Sequence, residues 1–276
     1  MTYWIADICS NHNQNLQRTK ELILSAAEAG CDAVKLQLFK ANKLYAPQFK
    51  EQRKKMAKWE FPEKWLEDIS DHCKYLNIKF GCTPFDLDAV ETLKPYVDFY
   101  KIGSYENQWV ELIKRVIATK KDWMISAGMM QLINIQRFMD QHLIQKNKPK
   151  ALFMCNSTYP AKAEECNLKT INYCNNFMKA DIGWSDHTNE PGVIYKAVSE
   201  GAKYIEFHLD LNDKKGFESE IGHCWTPNEI RKIIYNVKKK KKAVFRDDLY
   251  DVEAKKWRTD IDGFRPLKKW REELCQ

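Results

Sequence analysis

The chain has 276 residues, 44% of them hydrophobic and 30% charged, with a formal net charge of +7. That composition supplies a core and excludes a disordered chain, and no apolar stretch approaches the roughly 20 residues a membrane helix needs. The opening "MTYWIADICSNHN" has neither a basic region nor a long apolar segment, so it reads as a strand rather than a signal peptide, and a cytoplasmic protein is expected.

Short apolar runs alternate with helical patterns along the chain. The runs are "YWIADI" (3–8), "DAVKLQLF" (32–39), "IKFGC" (78–82), "VDFYKIG" (97–103), "DWMISAG" (122–128), "ALFMC" (151–155), "ADIGW" (180–184) and "KYIEFHL" (203–209). They are nearly continuous in apolar character, as parallel strands covered on both faces should be. Between the first two, "LQRTKELILSAAEAG" spaces its apolar residues three and four apart and stops at Gly30, a helix with a glycine C-terminus. "PEKWLEDISDHCKYLN", "DLDAVETL", "VELIKRVIATK" and "EPGVIYKAVSEG" repeat the theme. Eight strand–helix units without a glycine-rich dinucleotide fingerprint predict an α/β fold, a single-domain (β/α)8 TIM barrel over 1–245, with 246–276 a tail packed on it. A doubly wound open sheet is the alternative.

In such a barrel the C-terminal strand ends converge on one face, where a site forms. Those ends are polar here: Asp7, Ser10, Asn11 and His12 after the first run; Lys35 and Gln37; Thr83 and Asp86; Lys101, Ser104 and Glu106; Ser126; Asn156, Ser157 and Tyr159; Ser185 and His187; and His208. Lysines inside apolar strands are unfavourable unless an anion meets them. Lys35 and Lys101 with a ring of hydroxyls suit a ligand carrying phosphate and carboxylate groups. His72 and His142 lie on helices without such company and read as structural; His223, in the loop after the eighth run, can fold over the site.

The nine cysteines are odd in number, scattered, and form no C-x-x-C pair, which excludes a zinc ribbon or a thioredoxin motif and points to reduced core residues. Much of the excess charge sits in the Lys238–Lys242 run near a helix end, a solvated feature rather than a nucleic-acid module. No nucleic-acid or membrane partner is expected.

The segments "IADICSNHN", "VKLQLFK", "CTPFD", "YKIGSYEN", "ISAGMM", "CNSTYP", "IGWSDHT" and "IEFHLD", in this order, resemble the sialic acid synthase (N-acetylneuraminate synthase) family. The resemblance implies condensation of phosphoenolpyruvate with N-acetylmannosamine or a related aldose, assisted by a divalent metal, manganese first and magnesium or cobalt next. It implies that His187 and His208 ligate that metal. It assigns Lys35, Thr83, Lys101, Ser104, Ser126, Ser157 and Ser185 to phosphoenolpyruvate, and Gln37, Glu106 and Tyr159 to the sugar or metal side. Asp7 stands where the family has a glutamate, with Asp7 and Glu106 as candidate proton carriers. In "GFESEIGHCWTP" the register leaves either Glu218 or Glu220 as the loop acid, with His223 beside it. The family's C-terminal antifreeze-like domain has no counterpart before residue 276, so Arg258 or Arg265 is the candidate substitute for its arginine, and any homodimer is expected through the barrel. Another metal-dependent barrel aldolase or lyase, or a non-catalytic homologue, are the alternatives.

Overall fold

A computed structural model describes residues 2–143, 148–178 and 180–243. Eight strands, β1 (Tyr3–Asp7), β2 (Ala33–Leu38), β3 (Lys79–Pro84), β4 (Phe99–Ile102), β5 (Asp122–Ser126), β6 (Ala151–Cys155), β7 (Asp181–Asp186) and β8 (Tyr204–His208), pair in sequence order and close into a barrel. All pairings are parallel, including the closing β1–β8 pair, which sets Asp7 beside His208. The predicted (β/α)8 barrel is the observed fold.

The connections carry ten described helices: α1 (Leu16–Ala29), α2 (Ala41–Leu44), α3 (Lys50–Ala57), α4 (Leu66–Tyr75), α5 (Leu87–Leu93), α6 (Val110–Ala118), α7 (Leu132–Leu143), α8 (Lys169–Phe177), α9 (Pro191–Ser199) and α10 (Pro227–Ala243). Helix α1 shows why they form. The Asn15 side chain accepts from the Arg18 N–H, the buried face is Thr19, Leu22, Ile23, Ala26 and Ala29, and Gly30 ends the helix at φ 93°. The β2–β3 connection holds α2 and α3 ahead of α4, which the apolar periodicity did not show because α3 buries no residue. The Lys238–Lys242 run lies at the C-terminal end of α10. The barrel lies within Met1–Ile234, which forms one compact unit. The tail 246–276, with Arg258 and Arg265, and the His142 side chain lie outside the described residues.

Alternation along the strands sorts the barrel interior into layers. At the N-terminal end Ile5, Ala33, Phe99, Met124, Ala151 and Phe153 form one buried apolar cluster, with Tyr3 and Tyr204 against it. Gly81 and Gly183 make room for its rings: a Cβ at Gly81 would lie 2.2 Å from Phe99, and one at Gly183 2.8 Å from Phe153. Two residues further along the same faces stand Asp7, Lys35, Thr83, Lys101, Ser126, Cys155, Ser185 and Glu206. The interior thus turns from apolar to polar within one step of each strand, and that step floors the site.

Candidate active site

The floor is two buried ion pairs. Lys35 Nζ meets Asp7 Oδ2 at 2.5 Å and Thr83 Oγ1 at 3.0 Å, while Gln37 Nε2 donates to the same Asp7 oxygen at 3.0 Å. Lys101 Nζ donates to Glu206 Oε1 at 2.9 Å, and Ser185 Oγ donates to that oxygen at 3.0 Å. Both lysines are only 2% exposed. Burial pushes the Asp7 and Glu206 carboxyls up, but Lys35 acting on Asp7, and Lys101 with Lys35 acting on Glu206, outweigh it and hold both below their usual range. Burial is the stronger influence on Lys101, whose ammonium is held below its usual value despite Glu206. An ammonium has three N–H donors. Among the described residues Lys101 has one hydrogen-bond acceptor, with the Phe153 ring 3.9 Å from Nζ on another side.

Above β8 lies a cluster of imidazoles, a carboxylate and a thiol. His208 Nδ1 lies 2.9 Å from Cys9 Sγ, 2.9 Å from His223 Nε2 and 3.0 Å from Glu218 Oε2. One ring nitrogen carries at most one proton and can serve one of these three neighbours, so hydrogen bonding alone does not account for the crowding. Two sets of lone-pair atoms, Asp7–Cys9–His208 and His208–Glu218–His223, each lie within 4.8 Å of one another. Such a donor set fits a divalent cation. Burial depresses His208, yet its bond to Glu218 and the nearby Asp7 raise it above its ordinary value. Glu218, lifted by burial but bonded to His208 and His223, ends well below the usual carboxylate range.

His187 belongs to the same wall. Its Nδ1 lies 2.5 Å from the Asn156 carbonyl oxygen, which places the ring proton there and makes Nε2, 3.4 Å from Ser185 Oγ, the lone-pair nitrogen, as a metal-binding imidazole requires. Burial, then His208, drives its pKa down to about 3, so the ring is neutral. Its centroid is 5.3 Å from that of His208, and it joins neither tight donor set. Tyr159, 41% exposed, covers the cluster, with its ring centroid 4.1 Å from that of His187 and 5.0 Å from that of His223.

Hydroxyls gather on the β4–β6 side. Ser104 Oγ is 3.3 Å from Cys155 Sγ, and a Cβ at Gly128 would fall under 3.0 Å from Ser104 Oγ, Ser157 Oγ and Cys155 Sγ together. Glycine is needed there because the space belongs to those three groups. Ser126 is buried on the neighbouring strand, where Asn107 Nδ2 donates to its carbonyl oxygen. Glu106 is buried with Oε2 unpartnered, and burial lifts its carboxyl to about 7.

The structure separates the two loop acids. Glu218 is buried and takes N–H donation from Ser10, whereas Glu220 is exposed. The loop closes through a short 3-10 turn, Ser219–Ile221, ending on Gly222 at φ 92°, and this turn leaves Glu220 outside the cluster. His223, at 1% exposure, is inside. His72 contacts the Lys20 carbonyl on the outer helices, away from the strand ends.

Two residues escaped the sequence reading. Glu206 passed as part of an apolar run, although its two-residue spacing from His208 puts both on one face. Cys9 looks like a core hydrophobe in the sequence, and nothing local marks it, because its partner His208 is 199 positions away.

Comparison with known proteins gives the family of the chain. The NeuB family profile matches residues 22–247. The N,N'-diacetyllegionaminic acid synthase of Campylobacter jejuni subsp. jejuni is 31% identical over 261 residues, which is 88% of this chain and 77% of that protein. The spore coat polysaccharide biosynthesis protein SpsE of Bacillus subtilis is 29% identical over 250 residues, covering 85% of this chain and 66% of its own length. Among solved structures, the N-acetylneuraminic acid (sialic acid) synthetase of Leptospira borgpetersenii, in complex with citrate, superposes with a TM-score of 0.82 at 25% identity, covering 94% of this chain and 92% of that one. With its strand-end motifs gathered on one face of a closed barrel and a family match over most of its length, the chain belongs to the NeuB family, the sialic acid synthases.

Proposed function

We propose that this site condenses phosphoenolpyruvate with the open-chain aldehyde of an acylamino aldose, giving a 3-deoxy-2-keto acid of the nonulosonic type and inorganic phosphate. The observation that carries the reading is Lys101, a buried ammonium with one hydrogen-bond acceptor, set among strand-end hydroxyls on the barrel face that also carries the imidazole cluster. Its remaining donors, with Lys35, Thr83, Ser104, Ser126, Ser157 and Ser185, suit the phosphate and carboxylate of phosphoenolpyruvate. Relatives named for legionaminic and sialic acid synthesis support an acylamino sugar as acceptor.

C3 of phosphoenolpyruvate bonds to the aldehyde carbon, and the aldehyde oxygen takes up a proton. Positive charge left at C2 is met by water, which loses a proton, and the C2–O bond to phosphate breaks as the ketone forms. The lysines offset the phosphate and carboxylate charge throughout. Glu106, with a pKa of about 7, can give or take a proton at neutral pH, the property a general acid–base group needs. Gln37, through Asp7, and Tyr159 frame the sugar side. His208, Glu218 and His223, with His187 at the wall, would hold a divalent ion. The resemblance points to manganese first, with magnesium or cobalt next, and the ion when bound supplies Lewis acidity for an aldehyde oxygen.

The test is phosphate release from phosphoenolpyruvate with an aldose panel: N-acetylmannosamine and its 6-phosphate, mannose, arabinose 5-phosphate and di-N-acetylated deoxyhexoses, with metal and with chelator. Release with one acylamino sugar, abolished by chelator, His187→Ala and Lys101→Ala, is the expected result. No release with any member by metal-loaded protein refutes the reading. The lowered Lys101 ammonium also suits a Schiff-base aldolase; a borohydride-trapped adduct on Lys101 would favour that chemistry instead.

A further inference from the structure

We infer that Cys9 is a metal ligand, making this a thiolate-bearing site that takes a thiophilic divalent ion of the zinc or cobalt class in preference to manganese. The inference rests on the proposal that the cluster above β8 binds a metal, and it adds the identity of one donor and the class of ion.

Four observations place the thiol. Cys9 is 1% exposed, and its Sγ stands 2.9 Å from His208 Nδ1, the atom on which Glu218 and His223 also converge. Its backbone lies in the left-handed region at φ 49°, where a glycine would sit without strain. The carboxylate of Asp7 accepts from the Cys9 N–H at 3.0 Å, closing the turn that carries the side chain over the barrel mouth. Gln37 Nε2 lies 3.4 Å from the sulfur and can donate to it, the outer contact that steadies a coordinated thiolate. A packing role would ask for none of these: the thiol meets nitrogen atoms, and the turn that carries it is held at positive φ. On coordination the S–H proton leaves to solvent and a sulfur–metal bond replaces it. Thiolate ligands favour zinc and its neighbours, whereas manganese prefers oxygen donors.

The experiment uses full-length protein stripped with chelator and titrated with cobalt(II). Cobalt bound by sulfur gives an intense near-ultraviolet charge-transfer band in addition to its visible ligand-field bands. The band is expected in the unaltered protein, absent in Cys9→Gly, and unchanged in Cys224→Ser, whose sulfur lies 4.0 Å from His223. Glycine suits the left-handed φ of 49° at position 9, so Cys9→Gly removes the sulfur with the least strain on the turn. Because losing an outer partner of a metal ligand already lowers affinity roughly 10- to 100-fold, zinc affinity should fall at least about tenfold in Cys9→Gly. Manganese affinity should change little. Visible bands without the near-ultraviolet band would overturn Cys9 as a ligand while leaving the metal reading standing. A band that survives in Cys9→Gly, or is lost in Cys224→Ser, overturns it as well. Failure to bind any cobalt would sink both proposals.

Discussion

Replacing Glu206 by glutamine changes one charge and almost no volume, which makes it the sharpest test of the buried floor. The amide oxygen of the new side chain can still accept from Ser185 and Lys101, so the loss is electrostatic: an ammonium at 2% exposure is left without its counter-ion. Removing one member of a buried pair destabilises by about 3–5 kcal/mol. Lys101 can limit the damage by shedding its proton. From the usual value of 10.5, at about 1.4 kcal/mol per pH unit, that escape sets a ceiling of about 5 kcal/mol at pH 7 and about 2 kcal/mol at pH 9. The sign follows from linkage. With the Lys101 pKa depressed in the folded variant, the unfolded chain binds more protons between that depressed value and about 10.5, so the variant gains stability as pH rises through that window. Urea unfolding at pH 7 and pH 9 should show a deficit of about 3–5 kcal/mol that narrows to about 2 kcal/mol. A Lys101→Met/Glu206→Gln double variant should recover most of the loss, since an uncharged pair of similar volume is often as stable as the ionic one. A single variant within about 0.5 kcal/mol of the unaltered protein at pH 7, the range of ordinary surface changes, would refute the reasoning. So would a deficit that stays constant with pH.

Other consequences are as direct. Glu106, with its folded pKa near 7 against the ordinary 4.5, binds a proton that the unfolded chain releases, so the protein loses up to about 3 kcal/mol as pH rises from 4.5 to 7. Glu106→Gln lacks that loss and should be the more stable protein at pH 8 but not at pH 4, read from urea midpoints, while phosphate release falls. Gly81→Ala drives a methyl into the Phe99 ring and should cost about 1–3 kcal/mol or more, seen as a lowered thermal midpoint. Asp186 accepts from both the Trp184 and Trp225 indoles and from Thr188 Oγ1. Asp186→Leu strands these buried donors at about 1–3 kcal/mol each, and the variant should show altered tryptophan emission and a large loss of stability. An Asp186→Leu protein as stable as the parent would show that those donors are satisfied elsewhere.

Much of the architecture was legible one strand at a time. Apolar runs of five to eight residues, each ending in a polar group, are a local consequence of strands covered by helices outside and by other strands' side chains inside. That was enough to place Lys35, Lys101, His187 and His208 at one end of a parallel barrel, because all strands in such a fold point the same way. The helix that ends on Gly30 was legible for the same reason, since its cap and its apolar spacing lie within one stretch of chain. What the chain could not disclose by itself was partnership. Lys101 and Glu206 are 105 positions apart, Lys35 and Asp7 are 28 apart, and Cys9 and His208 are 199 apart. Lys35 meets Asp7 when β2 pairs with β1, whereas Lys101 on β4 meets Glu206 on β8, and Cys9 meets His208, only when the barrel closes, and none of these events has a local signature. The choice between Glu218 and Glu220 likewise fell to the 3-10 turn ending at Gly222. Side-chain type and strand periodicity are written residue by residue; distance between elements is set only when the barrel closes.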